Sequence, residues 1–330
     1  MLSRVAESLF WMARYVERAE DLARLLAVQF ISMLDARSDD AQLGWQLLIG
    51  MTDDERLFDE RYGEANPQSV IEFMLWEPRN SNSVNECIAN ARENARSIRE
   101  QISSEMWESI NRLYFFTRDS SRAEVLANPN EFFRQIRDRA QAFQGITSAT
   151  MTHGEPYQFI QLGLHLERAD KTARIVGANY FPLTRLTRNS PETSLQLIAL
   201  LRFCSAFEPY RRTIAGQMTS ESVVEYLLLN REFPRSVLFC LTACVNQLER
   251  IGENTSNSPK VDSPRRALGR LCADLEYLDI HEVLGENMER FLSQLIIRLN
   301  LVGDEIARMY FNTNIILPDE RPRQQQQQQQ

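Results

Sequence analysis

The chain is poor in the residues that punctuate a fold. Its 330 residues include 12 glycines and 12 prolines, about half their usual share, which argues against many strands and tight turns. Lysine is scarcer still. Only Lys171 and Lys260 occur, so the basic side chains are otherwise arginines, suited to bidentate pairing with carboxylates or phosphates; genomic base composition would produce the same bias. The three histidines, His153, His165 and His281, supply no Glu-x-x-His motif, so a ferritin-like di-iron bundle is not expected and no metal is assigned. The five cysteines, Cys87, Cys204, Cys240, Cys244 and Cys272, are odd in number and form no CxxC. Cys240 and Cys244 stand one helical turn apart without further zinc ligands, and all five read as small core hydrophobes in a reducing compartment. Nucleotide-cradling glycine loops and the GxSxG elbow are missing, which removes support for phosphate-cradling and esterase chemistry. No run of 18 apolar residues occurs, and Arg4 and Glu7 interrupt the start, so neither a membrane span nor a signal peptide is expected and a cytoplasmic location follows. A net charge of -8 offers no overall positive field to nucleic acid or an anionic membrane.

What is present is an ordinary globular balance, 43% hydrophobic and 25% charged, arranged with helical period. Apolar residues fall at Leu2, Val5, Leu9, Met12, Val16, Ala19, Ala23, Leu26 and Phe30 in steps of three and four, the pattern of an amphipathic helix. The same register returns 150 residues later at Phe159, Leu162, Leu166, Ala169, Ala173, Val176 and Tyr180. The letters return as well: ERAEDLAR at 17–24 answers ERADKTAR at 167–174, and SVIEFML at 69–75 answers SVVEYLL at 222–228. A further stripe, Val84, Ile88, Ala91, Ala95 and Ile98, is matched by Val237, Leu241, Cys244, Leu248 and Ile251. The reading is an all-α, tandemly duplicated multi-helix bundle with a pseudo-two-fold repeat, its first copy at 1–150 and its second at 151–311. Loops are expected at Asp35 to Asp40, Arg118 to Asn130, Phe181 to Pro191 and Gly252 to Pro264. Residues 312–330, ending in seven glutamines, read as a disordered tail.

Two charged groups are candidates for function. Glu17, Glu20 and Arg24 share one shoulder of the first apolar stripe, as Glu167, Asp170 and Arg174 share that of the second. On an exposed helix, Glu20 with Arg24 and Asp170 with Arg174 would be i,i+4 ion pairs of about 0.2–0.5 kcal/mol each. Alternatively, Ala19 and Ala23 admit a neighbouring helix, which would desolvate Glu17 and make it a buried anchor or a carboxylate of raised pKa. The second group is a basic stripe, Arg92, Arg96 and Arg99, with Glu93 and Asn94 beside it. It suits an anion, or a solvated face paired locally with Glu93 and Glu100. The matched positions Val245, Asn246, Gln247, Glu249 and Gly252 carry no such stripe.

The opening MLSRVAESLFWMARYVERAE, the pairs Glu17-Arg18 and Glu167-Arg168, and ARENAR at 91–96 followed by Arg99, Glu100 and Trp107 resemble the alpha-E family of bacterial helical proteins, named for a Glu-Arg motif. The resemblance runs to about Phe311. It implies a context: a peptide synthesis or modification system with a circularly permuted ATP-grasp carboxylate–amine ligase, and with transglutaminase-like proteins and proteasome-like peptidases. ATP and magnesium would then enter only through the ligase. Two expectations follow, a non-catalytic helical partner, or an enzyme of amide chemistry with Glu17 or Glu167 as general base and Arg92, Arg96 and Arg99 on an anion.

Overall fold

The computed structural model describes residues 1–33, 38–52, 54–184, 190–253, 263–285 and 287–311. Among the described residues every regular element is helical. The first eight helices are α1 (Ser3–Ser32), α2 (Ser38–Gly50), α3 (Glu55–Arg61), α4 (Pro67–Trp76), α5 (Val84–Ser97), α6 (Ser104–Asp119), α7 (Arg122–Ala127) and α8 (Pro129–Thr150). The next eight are α9 (Glu155–Thr184), α10 (Pro191–Phe203), α11 (Phe207–Thr213), α12 (Ser220–Leu229), α13 (Val237–Glu253), α14 (Ser263–Glu276), α15 (Ile280–Val283) and α16 (Asn287–Ile306). Helix lengths run in the same order twice: 30, 13, 7 and 10 residues open both series.

Local chemistry explains several of these boundaries. Asn66 and Ser69 at the start of α4, and Thr219 and Ser222 at the start of α12, form reciprocal capping boxes that satisfy otherwise orphaned backbone groups. Pro129 and Pro191 sit in the first turns of α8 and α10, where a missing N–H costs nothing. For this reason the segment from Arg118 to Asn130, expected as a loop, instead holds α7 and the start of α8. Likewise Ser38 to Asp40 open α2, Phe181 to Thr184 complete α9, and Gly252 lies in α13. Residues 35–37, 185–189 and 254–262 of the expected loops, and the glutamine-rich tail at 312–330, lie outside the described residues.

The two 30-residue helices form the centre. Helix α1 packs against α5, α8 and α9, and α9 packs against α13, α16 and α1, the neighbours standing at corresponding places in the two series. Leu9, Met12, Val16, Ala19, Ala23 and Leu26 of the first stripe are buried, as is the whole second stripe from Phe159 to Tyr180. Leu2 is exposed. The two backbones approach so closely that a Cβ on Gly163 would lie 2.4 Å from the Phe10 carbonyl oxygen. At the end of the described chain Phe311 seats against Phe10 and Phe159, closing one core shared by both series. No described helix is long and apolar enough to cross a membrane.

Candidate functional site

The small residues that let α1 and α9 meet also bring their charged shoulders inside. Glu17, Glu20 and Glu167 are fully buried, and Asp21, Arg24, Asp170 and Lys171 nearly so. The two Glu-Arg motifs pair with each other. Arg18 donates to Glu167 through Nε at 2.6 Å and Nη2 at 3.1 Å, while Arg168 donates to Glu17 through Nε at 2.8 Å and Nη2 at 3.3 Å. Each is a bidentate arginine–carboxylate contact. Arg14 adds a second guanidinium to Glu167 at 2.7 Å, and Lys171 stands 3.9 Å from the same carboxylate.

Residues from the turns before α5 and α13 complete the network. Arg235 reaches from the second turn to Glu17 at 2.6 Å, Glu20 at 2.8 Å and Asp21 at 2.9 Å. Asn82, from the first turn, accepts from Arg18 at 2.6 Å and donates to Asp54. From α8, Gln144 donates to Glu17 at 2.6 Å and accepts from Arg168, and Gln141 donates to Glu20. Arg24 pairs with both Glu20 and Asp21 and donates to the Phe203 carbonyl at 2.7 Å. Arg174 pairs with Asp170 at 3.0 Å.

Both expected i,i+4 pairs therefore form, but in an interior where an exposed pair's few tenths of a kcal/mol do not apply. The expectation of a raised carboxylate pKa is overturned. Burial alone would raise Glu17, yet the charges of Arg168 and Arg235 outweigh it and hold the carboxyl below its ordinary value. Glu20 is lowered to about 2, because Arg235 and Arg24 overcome its burial. Glu167 is held low against burial by Arg18, Arg14 and Lys171. Burial with the repulsion of Arg235 brings Arg24 down to about 10.

These carboxylates are held weakly basic and their oxygens are already engaged by guanidinium groups, which ill suits a general base whose pKa should lie near the working pH. Glu17, Glu20 and Asp21 are the one group of carboxylates among the described residues close enough together to share a metal ion. Arg235 donates to all three, so its guanidinium takes the place a cation would fill.

The basic stripe lies elsewhere, with Arg92 and Arg96 on α5 against α6 and Arg99 in the turn just beyond the end of α5. Arg92 donates to Asn111 at 2.7 Å and lies over Tyr114 and Trp107. Arg96 pairs with Glu93 at 2.6 Å, Arg99 lies over Trp107, and Asn94 bonds the backbone of its own helix. Of the network's members, Arg14, Asp21, Asp54, Asn82, Gln141, Gln144, Lys171 and Arg235 were not among the sequence candidates. Matching the turn at 233–236 to that at 80–83 would have marked Arg235, which stands where the first series has Asn82.

No solved structure matches this chain. Proteins described only as uncharacterized, from Mycobacterium bovis and Mycobacterium tuberculosis, are 24% and 23% identical to it over 337 residues, covering 96% of this chain. The chain spans 37% of the length of these relatives. Residues 1–311 match Alpha-E, described as a predicted alpha-helical domain with a conserved ER motif, and the two reciprocally paired Glu-Arg motifs lie within that span: the chain belongs to the Alpha-E family.

Proposed function

We propose that the chain is a non-catalytic helical partner in a cytoplasmic peptide synthesis or modification system, seated beside a circularly permuted ATP-grasp carboxylate–amine ligase that supplies ATP and magnesium. One observation carries the non-catalytic part: every glutamate of the two Glu-Arg motifs is buried and saturated by guanidinium groups. Such a network orders the helices it joins. The ligase, and with it a transglutaminase-like protein or a proteasome-like peptidase, comes from the family resemblance. The length of the relatives supports a segment that works joined to further polypeptide.

The test is a tagged pull-down from the native cell, read by mass spectrometry, with wild type and Arg96→Glu as baits. Arg96 is well exposed, so its reversal probes the basic helix without disturbing the core. Recovery of an ATP-grasp ligase with wild type supports the proposal, and its loss with Arg96→Glu assigns the interface to α5. No ligase with wild type, together with amide-forming or amide-hydrolysing turnover by the isolated chain that Glu17→Gln abolishes at unchanged melting temperature, would overturn it.

A further inference from the structure

We propose that the second half of the chain carries a binding site for a small oxyanion-bearing molecule with an apolar body, in the cavity beside the Arg168–Glu17 pair. This cavity of about 470 Å³ is lined by Arg168, Arg212 and Arg235, by the rings of Tyr226 and Phe233, and by one acidic side chain, Glu232. Its size falls within the range of small-molecule sites.

The arginines differ in their readiness for a ligand. Arg168 and Arg235 have side chains only 12% and 10% exposed, and buried carboxylates fix both. Little side-chain freedom remains for binding to remove. Arg168 spends Nε and Nη2 on Glu17 and Gln144, and its Nη1 donates to no protein group among the described residues. Arg212 is exposed and forms no ion pair among the described residues. An oxyanion entering the cavity thus meets one fixed donor and one free guanidinium, with the carboxylate-paired Arg235 also in the lining. The apolar wall is equally set, since Tyr226 and Phe233 are buried and their rings pack 5.3 Å apart.

This lining belongs to the second half alone. Arg212 is the sixth residue of α11, and the sixth residue of α3 is Glu60; Arg235 precedes the serine before α13, and Asn82 precedes the serine before α5. A separate cavity of about 380 Å³ in the first half, lined by residues of α2, α3 and the segment after α3, carries Glu55, Asp59 and Glu64 and no arginine.

The experiment is titration calorimetry on the purified full chain with 3-phenylpropionate, phenyl phosphate and, as the uncharged control, 3-phenylpropanol. At least one anion binds with Kd in about the micromolar-to-millimolar range, and the alcohol does not. Which anion binds assigns the site to carboxylates or to phosphoryl compounds. Arg212→Gln weakens binding by about tenfold, the loss of one charge-assisted contact. Thr213→Trp, at an exposed position on the cavity wall, blocks binding at unchanged melting temperature with all three arginines retained. Absence of binding by both anions, or binding that neither variant changes, would overturn the site. Neither result depends on a ligase partner.

Discussion

Removing the Glu167 carboxylate leaves Lys171 buried and Arg14 and Arg18 largely so, without the carboxylate they share. Breaking a buried ion pair from one side costs about 3–5 kcal/mol, because the remaining charge is uncompensated. Glu167→Ala should lower unfolding free energy by that amount in urea titrations, whereas Arg96→Ala, at an exposed pair, should change it by no more than about 0.5 kcal/mol. The same carboxylates set the response to acid. Glu17, Glu20 and Glu167 titrate lower in the folded chain than their ordinary 4.5, so the unfolded state takes up protons first as pH falls. Their stabilisation is complete above 4.5 and is lost on descent, for Glu20 between 4.5 and about 2. His165, which burial holds down to about 4 from its ordinary 6.5, is likewise protonated first in the unfolded state, so melting temperature followed by circular dichroism should begin to fall below about pH 6.5 and fall more steeply below about 4.5. Glu20→Gln should make that fall shallower; an unchanged slope would mean that Glu20 does not titrate with folding.

Where α1 crosses α9, one glycine decides how near the helices come. Gly163→Ala would drive a methyl group against the Phe10 carbonyl, and a main-chain neighbour yields only if the helices separate. An overpacking cost of about 1–3 kcal/mol is expected. Gly177→Ala in the same helix meets nothing within 4 Å and should gain up to about 1 kcal/mol of helix propensity. Opposite shifts of the two urea midpoints check this together. At this scale the sequence was largely legible. The stripes through Val84 and Val237 mark α5 and α13, and each of their named residues is buried, because period survives whatever the helix packs against. Burial of the shoulders was legible only as one of two readings: Ala19 and Ala23 signal a close helix, whereas Glu20 and Arg24 have the spacing of any surface pair. Arg235 lies 218 residues from Glu17 in sequence, and no local pattern announces a contact that long.

In the whole molecule, the network ties what the duplicated letters present as two units. Glu17 is held by Arg168 and Arg235, and Glu167 by Arg14 and Arg18, so neither half keeps its charges compensated when the other unfolds. Chains of this length often lose structure domain by domain; the crossed pairs argue that this one does not. The cysteines report on both halves. Cys87 lies in the first, and Cys240 and Cys244 in the second. All three are free and buried, with burial pushing the thiols of Cys87 and Cys240 up to about 12 and that of Cys244 well above its ordinary value, so only unfolding exposes them as reactive thiolates. Pulsed thiol labelling across a urea series, with sites resolved by peptide mass spectrometry, should give Cys87, Cys240 and Cys244 the same midpoint. Glu167→Ala should move all three midpoints together to lower urea. Labelling of Cys87 at a distinct concentration would instead mark residues 1–150 and 151–311 as separately folding domains, with the crossed Glu-Arg pairs as an interface between them rather than the centre of one core.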